Sequence, residues 1–277
     1  MTDSLVVLTD FYAVTNRALS YAAGLAVPLR AHLLLLHVHH DALLDPFAHG
    51  SPGAHIRQEL KTAVALHELA AGQPVVTEVD ISDGGLPAAV REAVQQRHPL
   101  LLVLARPDPA VAPEDLVVHT ARQLLRHVPY PLLLVPAAGW DEFPPRRLLL
   151  ALDGEPFRLR PHQDLLRRLL SVAPNGDGTL DLVQVSTAGS AQPGPVALLE
   201  TVRDNDLVDE LPESRLHVVY QPTAAAGILA EASRQQADML VVVARPHSWL
   251  GGVFHESVTA QLLRESDIPV LVLPAEQ

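Results

Sequence analysis

No cysteine occurs anywhere in the 277 residues, and that absence removes disulfides, thiolate zinc sites and cysteine nucleophiles together. Lysine is nearly missing as well. Lys61 is the only one, and it stands mid-helix with no G-x-x-x-x-G-K-[ST] frame around it, which excludes a P-loop NTPase and all but excludes Schiff-base chemistry. No apolar run reaches the ~18 residues that a membrane span needs. The opening, MTDSLVVLTD, has no basic stretch ahead of an apolar core, so it does not read as a signal peptide, and the expected location is the cytoplasm. Cations are in deficit: 20 Lys and Arg against 32 Asp and Glu leave a formal charge of −12. That balance argues against a nucleic-acid partner, because phosphate binding rests on basic side chains that release counterions.

What the chain does have is a repeat. Leu240 to Leu273 reads as an apolar run, a loop with Gly251 and Gly252, a helical pattern and a second apolar run closed by Pro274. Leu101 to Val135 follows the same plan. Ala105-Arg106-Pro107 answers Ala244-Arg245-Pro246, Gln123-Leu124-Leu125-Arg126 answers Gln261-Leu262-Leu263-Arg264, and Pro131 and Pro136 answer Pro269 and Pro274. Three blocks held in register to within about a residue mark a tandem duplication. The length fits two domains that can each bury a core.

Each copy alternates strands with helices. In the first, strands are expected at Leu5–Leu8, Ala31–Val38, Val75–Ile81, Leu100–Leu104 and Leu132–Val135. Helices are expected at Thr15–Val27, His55–Ala71, Leu86–Gln96 and Glu114–His127. The second copy has strands at Leu148–Leu152, Leu180–Val185 and Leu216–Tyr220, with helices near Pro161–Val172, Val196–Arg203 and Ala225–Gln235, before the stretch described above. Such alternation calls for a parallel sheet with helices on both faces. The proline-rich PAAGWDEFPP, residues 136–145, reads as a stiff surface linker. The expected domains are 1–138 and 145–277.

Asp10 at the end of a first strand, a following helix with Ala18, Leu19 and Ala22, a second strand reading LLLLHV, and the two endings SVTAQLLRESDIPVLVL and HTARQLLRHVPYPLLLV resemble the universal stress protein domain. The resemblance covers nearly the whole chain, twice. It implies two Rossmann-like domains of the adenine nucleotide alpha hydrolase kind, each a five-stranded parallel sheet of order 3-2-1-4-5. The ligand cleft would lie at the carboxyl ends of strands one and four.

Nucleotide-binding members of that family resemble G-x-x-G, nine residues, then G-[ST]. There the glycines let backbone amides approach the phosphates, and a helix N-terminus adds partial positive charge. This chain departs from the pattern. In the second copy Ala244 and His247 hold the first two glycine positions, and Glu256 precedes Ser257 with the spacing one residue short. A carboxylate ~4 Å from a phosphate oxygen costs on the order of 1 kcal/mol in water and about 4 at a protein-surface dielectric. Gly251 and Gly252 offer an alternative nest, and Ser257 keeps the hydroxyl. In the first copy Ala105 and Asp108 replace glycines, Pro107, Pro109 and Pro113 remove three amide donors, and His119 aligns with Ser257.

Other residues carry two readings each. Asp10 and Asp153 end first strands, where family members set an aspartate near the nucleoside, but a loop-ordering acceptor or helix cap suits them equally. Arg106 and Arg245 would meet an anionic ligand or, more simply, pair with a neighbouring acid. His37, His39 and His40 with Asp41 make the densest histidine cluster. Two of them share a strand face as metal ligands would, yet structural histidines are the simpler reading. His255-Glu256-Ser257 has hydrolase residue types without a G-x-S-x-G elbow. The fifth strands, short and apolar, would be exposed edges unless they pair with one another antiparallel about a pseudo-twofold axis.

These observations lead to the expectation of a non-enzymatic stress-response or regulatory binding module with no cofactor, able to form a homodimer and acting on a protein or small-molecule partner. Its candidate binding positions are Asp10, Asp153, Ala244, His247, Gly251, Gly252 and Ser257. The alternative is an adenine-nucleotide-binding member with weak ATPase activity in the second domain, and a metal-dependent enzyme at His37 stands third.

Overall fold

The structure, a computed structural model, describes residues 3–9, 15–38, 52–107, 114–138, 143–159, 162–173, 176–186, 194–207, 211–245 and 257–276. By internal packing the chain divides into two compact units, Met1–Ala105 and Arg106–Gln277.

The first unit carries strands β1 (Ser4–Thr9), β2 (His32–Val38), β3 (Thr77–Ser82) and β4 (Leu101–Arg106), the last ending at the unit boundary. They run in parallel in the order β3-β2-β1-β4. Every residue of β1 is buried, whereas β3 alternates between half-buried and exposed. That difference separates a strand covered on both faces from one at an edge. Helices α1 (Thr15–Leu29), α2 (Pro52–Ala71) and α3 (Leu86–Arg97) flank the sheet. The predicted stripe of α1 is the buried one: Ala18, Leu19, Ala22, Leu25 and Ala26 are all almost fully enclosed. This helix runs two residues past its expected end and takes Pro28 into its last turn. It then stops at Arg30, whose φ of 52° lets Ala31 N–H reach the Ala26 carbonyl at 2.9 Å, a closure normally made by glycine.

The second unit opens with α4 (Glu114–His127) and β5 (Leu132–Pro136), both from the first sequence copy. There follow β6 (Arg147–Leu152), α5 (Gln163–Ser171), β7 (Thr179–Ser186), α6 (Pro195–Asp204), β8 (Leu216–Tyr220), α7 (Ala224–Arg234), β9 (Met239–Ala244), α8 (Val258–Glu265) and β10 (Val270–Pro274). The five strands of the second copy lie as β8-β7-β6-β9-β10, the expected 3-2-1-4-5, all parallel. The two fifth strands pair antiparallel, Val270 opposite Leu134 and Val272 opposite Leu132, so each apolar edge satisfies the backbone of the other. Alongside them α4 packs on α8. The first unit thus holds four of the five strands expected for the first copy. The fifth is drawn into the second unit because its buried backbone finds partners there.

Candidate functional site

Strands β6 and β9 are neighbours, in register from Leu148 opposite Met239 to Ala151 opposite Val242. Their carboxyl ends therefore emerge side by side, and the next residues, Asp153 and Arg245, meet although 92 residues separate them. The Arg245 guanidinium forks onto the carboxylate, with Nε donating to Asp153 Oδ2 at 2.7 Å and Nη2 to Oδ1 at 2.9 Å. It also donates to the carbonyls of Pro156 at 2.8 Å and Glu155 at 2.6 Å. Asp153 Oδ1 accepts from Glu155 N–H at 3.0 Å as well. The Arg245 side chain is only 18% exposed, against 54% for Asp153. The hydrogen bond to Asp153 holds the guanidinium pKa above its ordinary value, burial works against it, and the Asp153 and Glu155 charges reinforce it. A planar fork against a carboxylate is the arrangement that arginine, and not lysine, supplies.

The segment after Asp153 is pinned at its far end too. Asn205, 4% exposed, accepts from Leu159 N–H at 2.9 Å and donates to the carbonyls of Phe157 and Thr201, each at 2.8 Å. Glu276 N–H donates to the Arg158 carbonyl at 2.9 Å, and Phe157 and Leu159 are buried. Residues 153–159 are thus a strap laid over the end of the sheet, with Arg245 closing one end and Asn205 the other.

Ala244 ends β9 almost fully buried, its carbonyl accepting from Ala275 N–H at 2.9 Å. Ser257 caps α8: its Oγ accepts from Ala260 N–H at 3.1 Å, and its carbonyl accepts from Gln261 N–H at 3.1 Å. His247, Gly251, Gly252 and Asp10 lie outside the described residues, as do His255, Glu256, Asp108, His39 and His40. The structure therefore brings Asp153 to Arg245 and sets Ala244 and Ser257 on the elements flanking the loop they were expected to frame.

The corresponding elements of the first copy are arranged differently. Arg106, the repeat-mate of Arg245, turns to the end of α8 and donates to the carbonyls of Arg264 at 2.6 Å and Leu263 at 3.3 Å, a cation on a helix C-terminus. Helix α4 begins at Glu114 and runs through His119. At the position where Ser257 starts a helix, the first copy is already five residues into one, so its amides there are spent on helical bonds. His37 is 8% exposed and its Nδ1 donates to the Thr9 carbonyl at 3.0 Å. Among the described residues no group of three or more His, Asp or Glu side chains stands ready for a metal.

A doubly wound α/β sheet of order 3-2-1-4-5 in the second copy, its first four strands matched in order by those of the first unit, with the candidate cleft where strands one and four end, defines a Rossmann-like nucleotide-hydrolase class of fold. Within that class, the model of the Universal stress protein family matches residues 1–136 and again 145–274. The chain belongs to the universal stress protein family, as a tandem member. It is similar in structure to a universal stress protein from Archaeoglobus fulgidus DSM 4304, at 15% identity and a TM-score of 0.68, over 99% of this chain and 97% of that one. A functionally unknown protein from Pseudomonas aeruginosa PAO1 is similar at 20% identity and a TM-score of 0.56, over 99% and 93%. At these identities the likeness is one of fold. Comparison with curated proteins by sequence gives no match. No helix among the described residues is long and apolar enough to cross a membrane.

Proposed function

We propose that this protein is a non-enzymatic stress-response or regulatory binding module of the cytoplasm, which needs no cofactor and does not hold ATP in the manner of the nucleotide-binding members. The observation that carries this reading is the Asp153–Arg245 fork. Both oxygens of the aspartate expected beside a nucleoside are committed, one of them twice, and the arginine closing on them is itself bound to two strap carbonyls. A nucleoside hydroxyl approaching Asp153 would meet a carboxylate already engaged by Arg245 and would compete with that charge-assisted fork. The first copy supports the same reading through α4, which fills the place of a phosphate-facing helix start. The partner is another protein or a small molecule, and two tandem chains associate as a homodimer, which sedimentation velocity checks.

One observation favours the alternative, weak nucleotide binding and ATPase activity in the second domain. Ser257 stands at the amino end of α8 with its hydroxyl proton uncommitted among the described residues. Thermal melting with Mg-ATP separates the two. A ligand at ~100 times its dissociation constant adds about 2.7 kcal/mol, which at roughly 2–4 °C per kcal/mol is a plain shift. The expected result is no shift at millimolar Mg-ATP. A shift abolished in Ser257→Ala, with phosphate release, establishes the alternative.

A further inference from the structure

A second concave site lies at the opposite end of the same sheet. Thr179, the first residue of β7, pairs with Arg147, six residues before Asp153, so at roughly 3.3 Å per residue it sits about 20 Å from the carboxyl ends where Asp153 and Arg245 meet. Around that amino end is a cleft of about 550 Å³, bounded by the last turn of α5, the start of β7, and Leu207, Leu211, Pro212 and Arg215. Its size falls within the range of small-molecule sites.

The walls divide by chemistry. Leu170, Leu180, Leu207 and Leu211 form an apolar floor of buried side chains. Two guanidinium groups, Arg167 and Arg215, are the charged groups among the lining residues. Each has a carboxylate partner that is not itself a lining residue: Asp206 holds Arg167, and Asp181 Oδ2 accepts from Arg215 Nη1 at 3.0 Å. A guanidinium has five N–H donors, and Arg215 spends one of them in this way. Thr179 also lines the cleft, and its Oγ1 is buried there without a hydrogen-bond partner among the described residues. A buried hydroxyl left unpaired costs free energy that folding would otherwise have recovered, so its presence on the wall of a cavity points to an oxygen supplied from outside. The cleft also depends on a close approach. A Cβ on Gly178 would stand 2.7 Å from Leu170 Cα, and only glycine brings the start of β7 this near the end of α5.

We propose that this cleft binds a small organic carboxylate with an aliphatic body, its head group received by Arg215, Arg167 and the Thr179 hydroxyl and its chain laid on the leucine floor. The site is separate from the β6–β9 end and does not depend on how that end treats nucleotides. The test uses octanoate, with octanol and octylammonium as probes of the head group, titrated into the full-length chain and followed by amide chemical shifts and thermal melting. Octanoate is expected to bind saturably, perturbing Ser171, Gly178 and Thr179, while octylammonium does not. Thr179→Val removes a hydroxyl that makes no internal bond, so it is expected to fold as the parent does and to bind octanoate about tenfold more weakly, the worth of one hydrogen bond to a charged group. Arg215→Gln is expected to weaken binding at least as much. Absence of saturable octanoate binding, equal binding of octanol, or full affinity in Thr179→Val each overturns the proposal. Should Arg215→Gln fail to fold, Thr179→Val decides alone.

Discussion

Removing the Arg245 guanidinium tests whether the strap after β6 is held as its geometry indicates. In Arg245→Ala four hydrogen bonds vanish, two to Asp153 and one each to the Glu155 and Pro156 carbonyls. The Asp153 carboxylate is more than half exposed, so water recovers most of its solvation and the pair itself is worth only ~0.2–1 kcal/mol. The two carbonyls regain water likewise, at a net loss of about 0.5 kcal/mol each. The sum is about 1–2 kcal/mol, a fall in melting temperature of roughly 2–8 °C for a chain of this size. Amide exchange at Glu155 should rise, while Leu159, held from the other side by Asn205, keeps its protection. Arg245→Lys retains the charge but not the fork and should lie between the two. A double-mutant cycle with Asp153→Ala isolates the pair, with an expected coupling of about 0.5–1 kcal/mol. Coupling indistinguishable from zero, together with unchanged exchange at Glu155, refutes the clamp and with it the main support for the proposed function.

Three further outcomes follow from local chemistry. Asn205→Ala strips partners from Leu159 N–H and from the Phe157 and Thr201 carbonyls in a buried setting, and should lower the urea-derived stability by about 2–4 kcal/mol. Arg30→Gly relieves a left-handed conformation at an exposed helix end, and should raise stability by about 0.5–1 kcal/mol after the extra chain entropy of glycine is counted. His162, set edge-on to Tyr130 at 4.9 Å, has its pKa lowered by burial from 6.5. The unfolded chain therefore takes up a proton below pH 6.5 that the folded chain resists, and stability falls as pH drops through that value. His162→Phe, compared with the parent from pH 8 to pH 5, should show a flatter melting profile over that window.

The strands and helices were legible because the buried strands are nearly unbroken leucine and valine, and because α4 keeps its apolar residues at helical spacing from Leu116 to Leu125. The duplication showed in shared blocks, and the antiparallel fifth strands followed from the cost of leaving two apolar edges open. The site was harder to read. Asp153 and Arg245 were each marked, but that they engage one another follows only once strands one and four are placed side by side; given the order 3-2-1-4-5, it could have been drawn. Asn205 gave no signal, since a polar residue after a helix looks the same whether it meets water or pins a loop 46 residues away. The extent of α4 was expected, yet its meaning for the first copy lay in comparing two helix starts, which repeat alignment alone does not reveal.

Because β5 and α4 are packed with the later half of the chain, the joint between the copies is not the seam of the molecule. Severed at its proline-rich joint, the chain would leave one fragment ending on Leu132–Pro136 and another on Val270–Pro274, each stripped of the strand that now covers it. Such halves would have to find each other, or themselves, by collision, and their foldedness would depend on how much of each was present. Fusion makes that encounter intramolecular at a high effective concentration. Dilution can no longer undo it, and either half is then free to drift in sequence so long as the other keeps its edge.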